Sequence, residues 1–332
     1  MPDSIFLTKR QPLVSIGVPV YNGETFLRAG LDALLAQTYP HLEVVIADNA
    51  STDHTEEICR EYANKDARVR YHRNPRNVGV YANFRHVLAL ARGDYFMWAA
   101  VDDLRPLTAV EDCLTVLLAD PQAVMAHGLI LVEPTERPQL FPILNEMELS
   151  ADDASTRIRI FTEKVTHNAI LYGLYRRHAL LQGWLGSCYG QDYLLCLQMC
   201  LLGRVVYTRA PMMICRERQL LPSSHPMYAP VPLTVRNLLR AGGLPRRKCW
   251  VVLFMGCYYL VRIRRVSLRQ RLRAVTTHVV TFGTLHRTRL LKEVLFQLLA
   301  PIAVVTGWVW HLAQQQSLSL RLARRVQGIL TR

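Results

Sequence analysis

Four short apolar runs, separated by stretches of helical spacing, occupy residues 13–101. "LVSIGVPVY" (13–21) is β-rich and ends at the turn pair Asn22-Gly23, and "ETFLRAGLDALLAQT" (24–38) then places apolar residues at helical spacing. "LEVVIADNAS" (42–51) lacks polar alternation, as expected of a strand buried on both faces. It breaks at Asp-Asn-Ala-Ser-Thr-Asp, a cluster able to cap the helix "TEEICREYANK". "VRYHR" (69–73) reads as a third strand, 79–91 as a helix and "DYFMWAAV" (94–101) as a fourth strand. This βαβα order predicts an α/β fold with a mostly parallel central sheet flanked by helices. In such sheets ligands sit beyond the carboxyl ends of the strands, here Pro19-Val20-Tyr21-Asn22, Asp48-Asn49-Ala50-Ser51 and Asp102-Asp103.

Beyond residue 134 the pattern is less regular. A helix is expected at 151–165, a strand at 168–177, a helix at 190–204 and two short strands, "VVYT" and "MMICR". A Pro-rich stretch at 222–232 precedes helical segments in which apolar blocks (249–261, 294–313) alternate with arginine clusters. The expected division is one domain over 13–216, with halves 13–133 and 134–216, and a basic helical extension over 217–332. Charge follows that division. Residues 1–202 hold 18 Lys+Arg against 24 Asp+Glu, whereas residues 203–332 hold 22 against 2. An acidic first part suits metal or proton chemistry, and a basic tail suits phosphate-rich surfaces. With 50% hydrophobic residues the 332-residue chain is not of the disordered class. The eight cysteines form no C-x-x-C pair and lie mostly in apolar runs, and the N-terminus lacks the features of a secretory signal, so a reduced cytoplasm is the expected setting.

The adjacent carboxylates Asp102 and Asp103 repel one another unless a cation neutralises them, so they suit a divalent metal; the ordinary alternative is a cap for the helix that follows. Asp48 could accept hydrogen bonds from a base or sugar, or simply shape a tight turn. Neither G-x-G-x-x-G nor a P-loop motif is present. His127, His167 and His225 lack ligand spacing, so they read as structural. Arg76 and Arg176-Arg177 read by default as solvated.

The segments "VSIGVPVYNGETFLRAGLDALLAQTYPHLEVVIADNASTDHTEEICREYA", "RNPRNVGVYANFRHVLALARGDYFMWAAVDD" and "GQDYLL" together resemble family-two glycosyltransferases with the GT-A fold, over about residues 13–216. The resemblance implies transfer of a sugar from a nucleotide-diphosphate donor, with inversion and a divalent metal, Mn²⁺ or Mg²⁺, as cofactor. It places Pro19, Tyr21, Asn22 and Asn77 in the nucleotide-sugar pocket and Asp48 at the base. The family's D-x-D motif falls on Ala100-Val101-Asp102, so Asp102 is the expected metal ligand with Asp103 beside it at the donor. The acceptor base of a Glu-Asp pair falls on Asp192, preceded here by Gln191. Such a base is needed because an acceptor hydroxyl must lose its proton as it attacks, and the metal offsets charge on the departing diphosphate.

Segment 294–313 has twenty residues without a charge, long enough to span a bilayer, but Gln297, Pro301, Gly307 and His311 dilute it. The preferred reading of the tail is helices lying on an anionic membrane surface; a spanning helix and a solvated bundle are the alternatives. Location at the cytoplasmic face of the cell membrane and a glycan or lipid-linked acceptor follow from it. The stretch "CRERQLLPSS" replaces the Q-x-x-R-W of processive synthases, which favours a non-processive enzyme. Competing readings are a catalytically silent binding protein of the same fold and a nucleotidyl transferase, though no Gly-rich basic loop follows strand one. Nucleic acid is not an expected partner, because aromatic residues for stacking are sparse in the tail.

Overall fold

The computed structural model describes residues 11–133, 141–143, 147–165, 168–186, 190–216, 248–288 and 290–291. The first half follows the expected alternation: β1 (Val14–Val20), α1 (Glu24–Leu35), β2 (Leu42–Asp48), α2 (Thr55–Lys65), β3 (Val69–Arg73), α3 (Val80–Leu90) and β4 (Tyr95–Trp98). β1 pairs in parallel with β2 and β4, and β2 with β3. Then come α4 (Ala109–Ala119), β5 (Ala123–Glu133), β6 (Phe141–Ile143), α5 (Ala154–Lys164), a 3₁₀ turn (Asn168–Tyr172), β7 (Leu174–Arg176), the short α6 (Arg177–Leu180), α7 (Gln191–Leu202) and β8 (Arg204–Arg216). These complete an eight-stranded sheet ordered β3-β2-β1-β4-β7-β5-β6, with β8 alongside β5. β7 is antiparallel to both β4 and β5, so it joins the parallel half to the rest.

Several expectations need correction. Residues 168–177 are not one strand; the segment turns as a 3₁₀ helix before a three-residue β7. "VVYT" and "MMICR" are two ends of the single strand β8, interrupted where Arg209 takes φ 60° and the register against β5 shifts. That irregularity hides the strand from a periodicity argument, since a bulge breaks the alternation of period two. β5 itself had no counterpart in the sequence reading. Of the acidic clusters, the one after β2 does meet its helix, since Asp53 accepts from the Thr55 N–H at 3.1 Å at the start of α2, but α4 starts at Ala109 with Thr108 as its N-cap, so neither Asp102 nor Asp103 is a cap.

Alternate residues of the central strands feed two cores. Val44 and Ile46 join Leu27, Leu31, Cys59 and Leu117 on the α1/α2/α4 face. Val45 and Ala47 join Val87, Phe161, Leu194 and Leu197 on the α3/α5/α7 face. This two-sided burial is why the β2 sequence shows no alternation. The second core continues into the basic extension, where α8 (Lys248–Arg262) and α9 (Leu268–Leu285) contribute Val252, Tyr259, Leu260, Ala274 and Phe282. α9 packs on α5 and α8, and α8 on α7. The two helices meet closely at Gly256, where an added Cβ would lie 2.2 Å from the buried His278 ring. Among the described residues no helix is long and apolar enough to cross a membrane. Segment 294–313 lies outside the described residues, as do His167 and His225.

Candidate active site

The loops after β1, β2, β3 and β4 meet at the carboxyl edge of the parallel sheet. The first two are laced together: Ser51 Oγ accepts from the Asn22 N–H at 2.9 Å, Asn22 Oδ1 from the Thr52 N–H at 2.9 Å, and Thr55 Oγ1 from the Gly23 N–H at 2.8 Å. Asn22 at φ 51° and Ala50 at φ 61° lie in the left-handed region, which Asn tolerates and Ala adopts at a cost. Tyr21, 45% exposed, projects beyond this lacing, while Pro19 is half-buried within β1 opposite Ala47.

Asp48 is fully buried at the end of β2. Its carboxylate accepts from the Ser51 N–H (2.8 Å), the Tyr71 hydroxyl (2.9 Å) and Arg73 Nη1 (2.6 Å). A carboxylate offers about four acceptor positions, so protein partners take most of them. Burial, followed by the bond to Asp48, raises the Tyr71 phenol above its ordinary range.

An asparagine network, of which the sequence pointed to Asn49 and Asn77 but not to Asn74 and Asn83, holds the loop after β3. The exposed Asn77 accepts from Asn49 Nδ2 at 2.8 Å and from the Gly79 N–H at 2.9 Å. Asn49 in turn accepts from Asn74 (3.1 Å) and the Val78 N–H (2.9 Å), and Asn83 reaches the Ala47 carbonyl at 2.8 Å. Asn49, Asn74 and Asn83 are buried. The signal in the sequence was the run of amides in "RNPRNVGVYAN", with Asn83 on the buried face of α3.

The loop carrying Asp102 and Asp103 is fixed from both sides. Toward α1, an added Cβ at Gly30 would come within 2.8 Å of the Val101 carbonyl, so only glycine allows this approach. Toward β8, Leu104 and Ile214 exchange backbone bonds at 3.0 and 2.9 Å. Arg216, at the end of β8, donates to the Asp102 carbonyl at 2.7 Å and lies 5.0 Å from the Phe26 ring. Arg105 is buried and gives its guanidinium to the carbonyls of Trp98 (2.7 Å), Tyr172 (3.0 Å) and Met212 (3.1 Å). Neither arginine was singled out from the sequence. Burial raises the Asp103 carboxyl above its ordinary value, although Arg105 and Arg216 oppose the shift.

Asp192 is half-buried in the first turn of α7, following Gly190 at φ 72°, and its Oδ1 accepts from the Tyr193 N–H at 2.9 Å. The preceding Gln191 is buried; its amide donates to the Trp184 carbonyl at 2.8 Å, and the Tyr259 hydroxyl of α8 donates to it at 3.4 Å. Tyr172, at the end of the 3₁₀ turn, links this element to the β4 loop. Its phenol is raised by burial and then by the charges of Asp103 and Asp192 together, with Arg105 opposing. Other residues prove structural. Arg176 is not solvated: it bonds the Ala123 carbonyl at 2.7 Å and the Tyr95 hydroxyl at 2.7 Å. His127 is buried against the Met147 carbonyl at 2.9 Å.

A parallel half with polar strand ends, joined through an antiparallel strand to a second half bearing a further carboxylate, defines the GT-A fold. Solved structures agree. The S. aureus TarS 1–349 structure is similar with a TM-score of 0.58 at 17% identity, over 84% of this chain and 73% of that one. The same protein in complex with UDP-GlcNAc gives 0.58 at 16%, over 85% and 79%. The family model described as Glycosyl transferase family 2 matches residues 15–184, half of the sequence, and the chain belongs to that family. Among its relatives is an uncharacterized glycosyltransferase of Rickettsia typhi, 30% identical over 155 residues, which are 41% of this chain and 48% of the relative. A Haemophilus influenzae uncharacterized glycosyltransferase is 37% identical over 117 residues, 35% of this chain and 46% of its own length. The chain thus spans about half the length of these two curated relatives.

Proposed function

We propose that the chain is an inverting, non-processive glycosyltransferase that moves a sugar from a nucleotide-diphosphate donor to a glycan or lipid-linked acceptor. The supporting observation is that the 3₁₀ turn ending at Tyr172 packs against both β4, whose loop bears Asp102 and Asp103, and α7, which bears Asp192. Asp192 is the base: held at a helix start by its own turn, it takes the proton of the acceptor hydroxyl as that oxygen attacks the anomeric carbon from the face opposite the diphosphate. Tyr21 offers an exposed ring to the base, and Pro19, Asn22 and Asn77 line the nucleotide pocket. Asp48 keeps the one acceptor position its protein partners leave for a base N–H.

The residues present fit a divalent cation. Asp102 and Asp103 supply hard oxygen donors, and Asp103 is largely withdrawn from water, which favours neutralisation of its charge. Among the described residues no group of three or more His, Cys, Asp or Glu is placed to hold a metal, so a cation here would draw its remaining ligands from the donor's phosphates and water. Bound there, Mn²⁺ or Mg²⁺ would offset the negative charge of the leaving diphosphate. The basic extension, in this reading, rests on the anionic inner face of the cell membrane, where a lipid-linked acceptor is presented.

The test is thermal melting with UDP, GDP, dTDP and CDP, with and without Mn²⁺, for the full chain and for Asp102→Asn. At 100 times its dissociation constant the correct nucleotide adds about 2.7 kcal/mol. That shift should need Mn²⁺ and be lost in Asp102→Asn. In the matching transfer assay, Asp192→Asn should lower kcat by about 10² to 10⁴ while the nucleotide-induced melting shift persists. An unaltered cellular role of Asp192→Asn would favour a silent binding protein of the same fold.

A further inference from the structure

Residues 248–291 hold nine Lys and Arg and no Asp or Glu. α9 uses them unusually. Its inner face buries Ala274, His278 and Phe282 at steps of four, yet its outer face also carries large apolar residues: Leu268, Leu272, Val279 and Val280, with Leu272 53% and Val280 60% exposed. A helix that merely covers a core would present polar residues outward. Its first two turns hold Arg269, Arg271 and Arg273 and no acid, against the preference of a helix N-terminus for negative charge.

Arg269 and Arg273 border an open, mostly apolar groove of about 560 Å³ along α5 and α9 that Arg159, Leu272 and Val280 also line, whereas Arg271 donates to the Val261 carbonyl at 2.7 Å. Arg159 is paired with Glu163 at 3.0 Å, whereas α9 has no acidic residue of its own. Guanidinium forks at the border match phosphate oxygens, and the Leu and Val side chains offer an apolar surface that a free inorganic anion would not use.

We infer that the outer apolar face of α9, with this groove, enters the acyl boundary of an anionic bilayer, and that Arg269 and Arg273 at the groove's border take the phosphates of the lipid headgroups. The inference rests on the membrane-surface reading above and gives it a specific contact. An interfacial helix of this kind draws on both buried apolar area and basic residues near the lipid charge.

The experiment is co-sedimentation of the full chain with phosphatidylcholine vesicles made with and without phosphatidylglycerol. Wild type should pellet with the anionic vesicles only. Arg269→Gln/Arg273→Gln should weaken that binding about thirtyfold, from about 1 kcal/mol per arginine. The paired control Arg264→Gln/Arg265→Gln removes the same charge from the turn outside the groove and should lose clearly less; equal losses would mean diffuse attraction and overturn the groove. Melting temperatures of both variants should match wild type. Displacement from the vesicles by millimolar inorganic phosphate would mark a free-phosphate site and also overturn the inference. If the groove variant binds anionic vesicles as wild type does, the groove assignment fails while membrane association stands. If wild type binds no vesicle, the groove and the membrane reading fail together, and the sugar-transfer reading is still judged by the nucleotide melts.

Discussion

At the scale of single residues, the position preceding the proposed base shows how context selects chemistry. Gln191 departs from the family's Glu, and the structure supplies a reason: its side chain is enclosed by Trp184 and by Tyr259 of α8, and it must donate to a carbonyl. A carboxylate cannot donate, and burying its charge there is unfavourable. Gln191→Glu should therefore cost about 2–3 kcal/mol in urea denaturation at neutral pH, with part of the loss recovered toward pH 5 as the new carboxyl takes up a proton. Asp48 carries a related lesson. Its place at the end of β2 was legible, but the three donors around it, Ser51, Tyr71 and Arg73, come together only when β2 and β3 pair.

Among the elements, the β4 loop depends most on a partner distant in sequence. Arg105 ties the end of β4, the 3₁₀ turn and β8 through three carbonyls, and so fixes the base on which Asp102, Asp103 and Tyr172 stand. Replacing it by methionine keeps the aliphatic stem and leaves three buried acceptors without their donor. Arg105→Met is expected to lower stability by about 3 kcal/mol or more, measured by urea or thermal unfolding. The four parallel strands and their helices were legible because each carries its own apolar period. β5 and β8 were not recognised whole, since their register shifts and the left-handed Arg209 break the pattern that identifies a strand.

The molecule as a whole encloses ionisable groups that make its stability depend on pH. Burial lowers both His127 and His278 to about 4, whereas an unfolded histidine titrates near 6.5. Between those values the unfolded chain binds protons that the folded chain does not, so stability is complete above about pH 6.5 and falls as pH drops toward 4. The slope should reach about 1.4 kcal/mol per pH unit for each histidine. Melting curves from pH 7.5 to 4 should show this decline, and His278→Leu should reduce its steepness. Glu43 extends the loss to lower pH. Burial alone would raise its carboxyl, but hydrogen bonds from Ser15, the Arg92 N–H and Arg70 hold it below the usual range, so its contribution disappears as pH falls through that lowered value. All seven cysteines among the described residues are free thiols; burial pushes Cys59, Cys113 and Cys200 up to about 12, which leaves them inert at neutral pH.

The sequence by itself determined the parallel half of the sheet, the polar strand ends and the charge division between the two parts of the chain, because apolar period, turn chemistry and net charge are local properties. It also carried the family resemblance in ordered motifs. Only the tertiary structure decided that α8 and α9 share a core with α5 and α7, that Arg105 and Arg216 hold the β4 loop, and that the 3₁₀ turn of Tyr172 packs on both β4 and α7. Those facts depend on which distant residues meet, and no local pattern encodes a partner a hundred residues away.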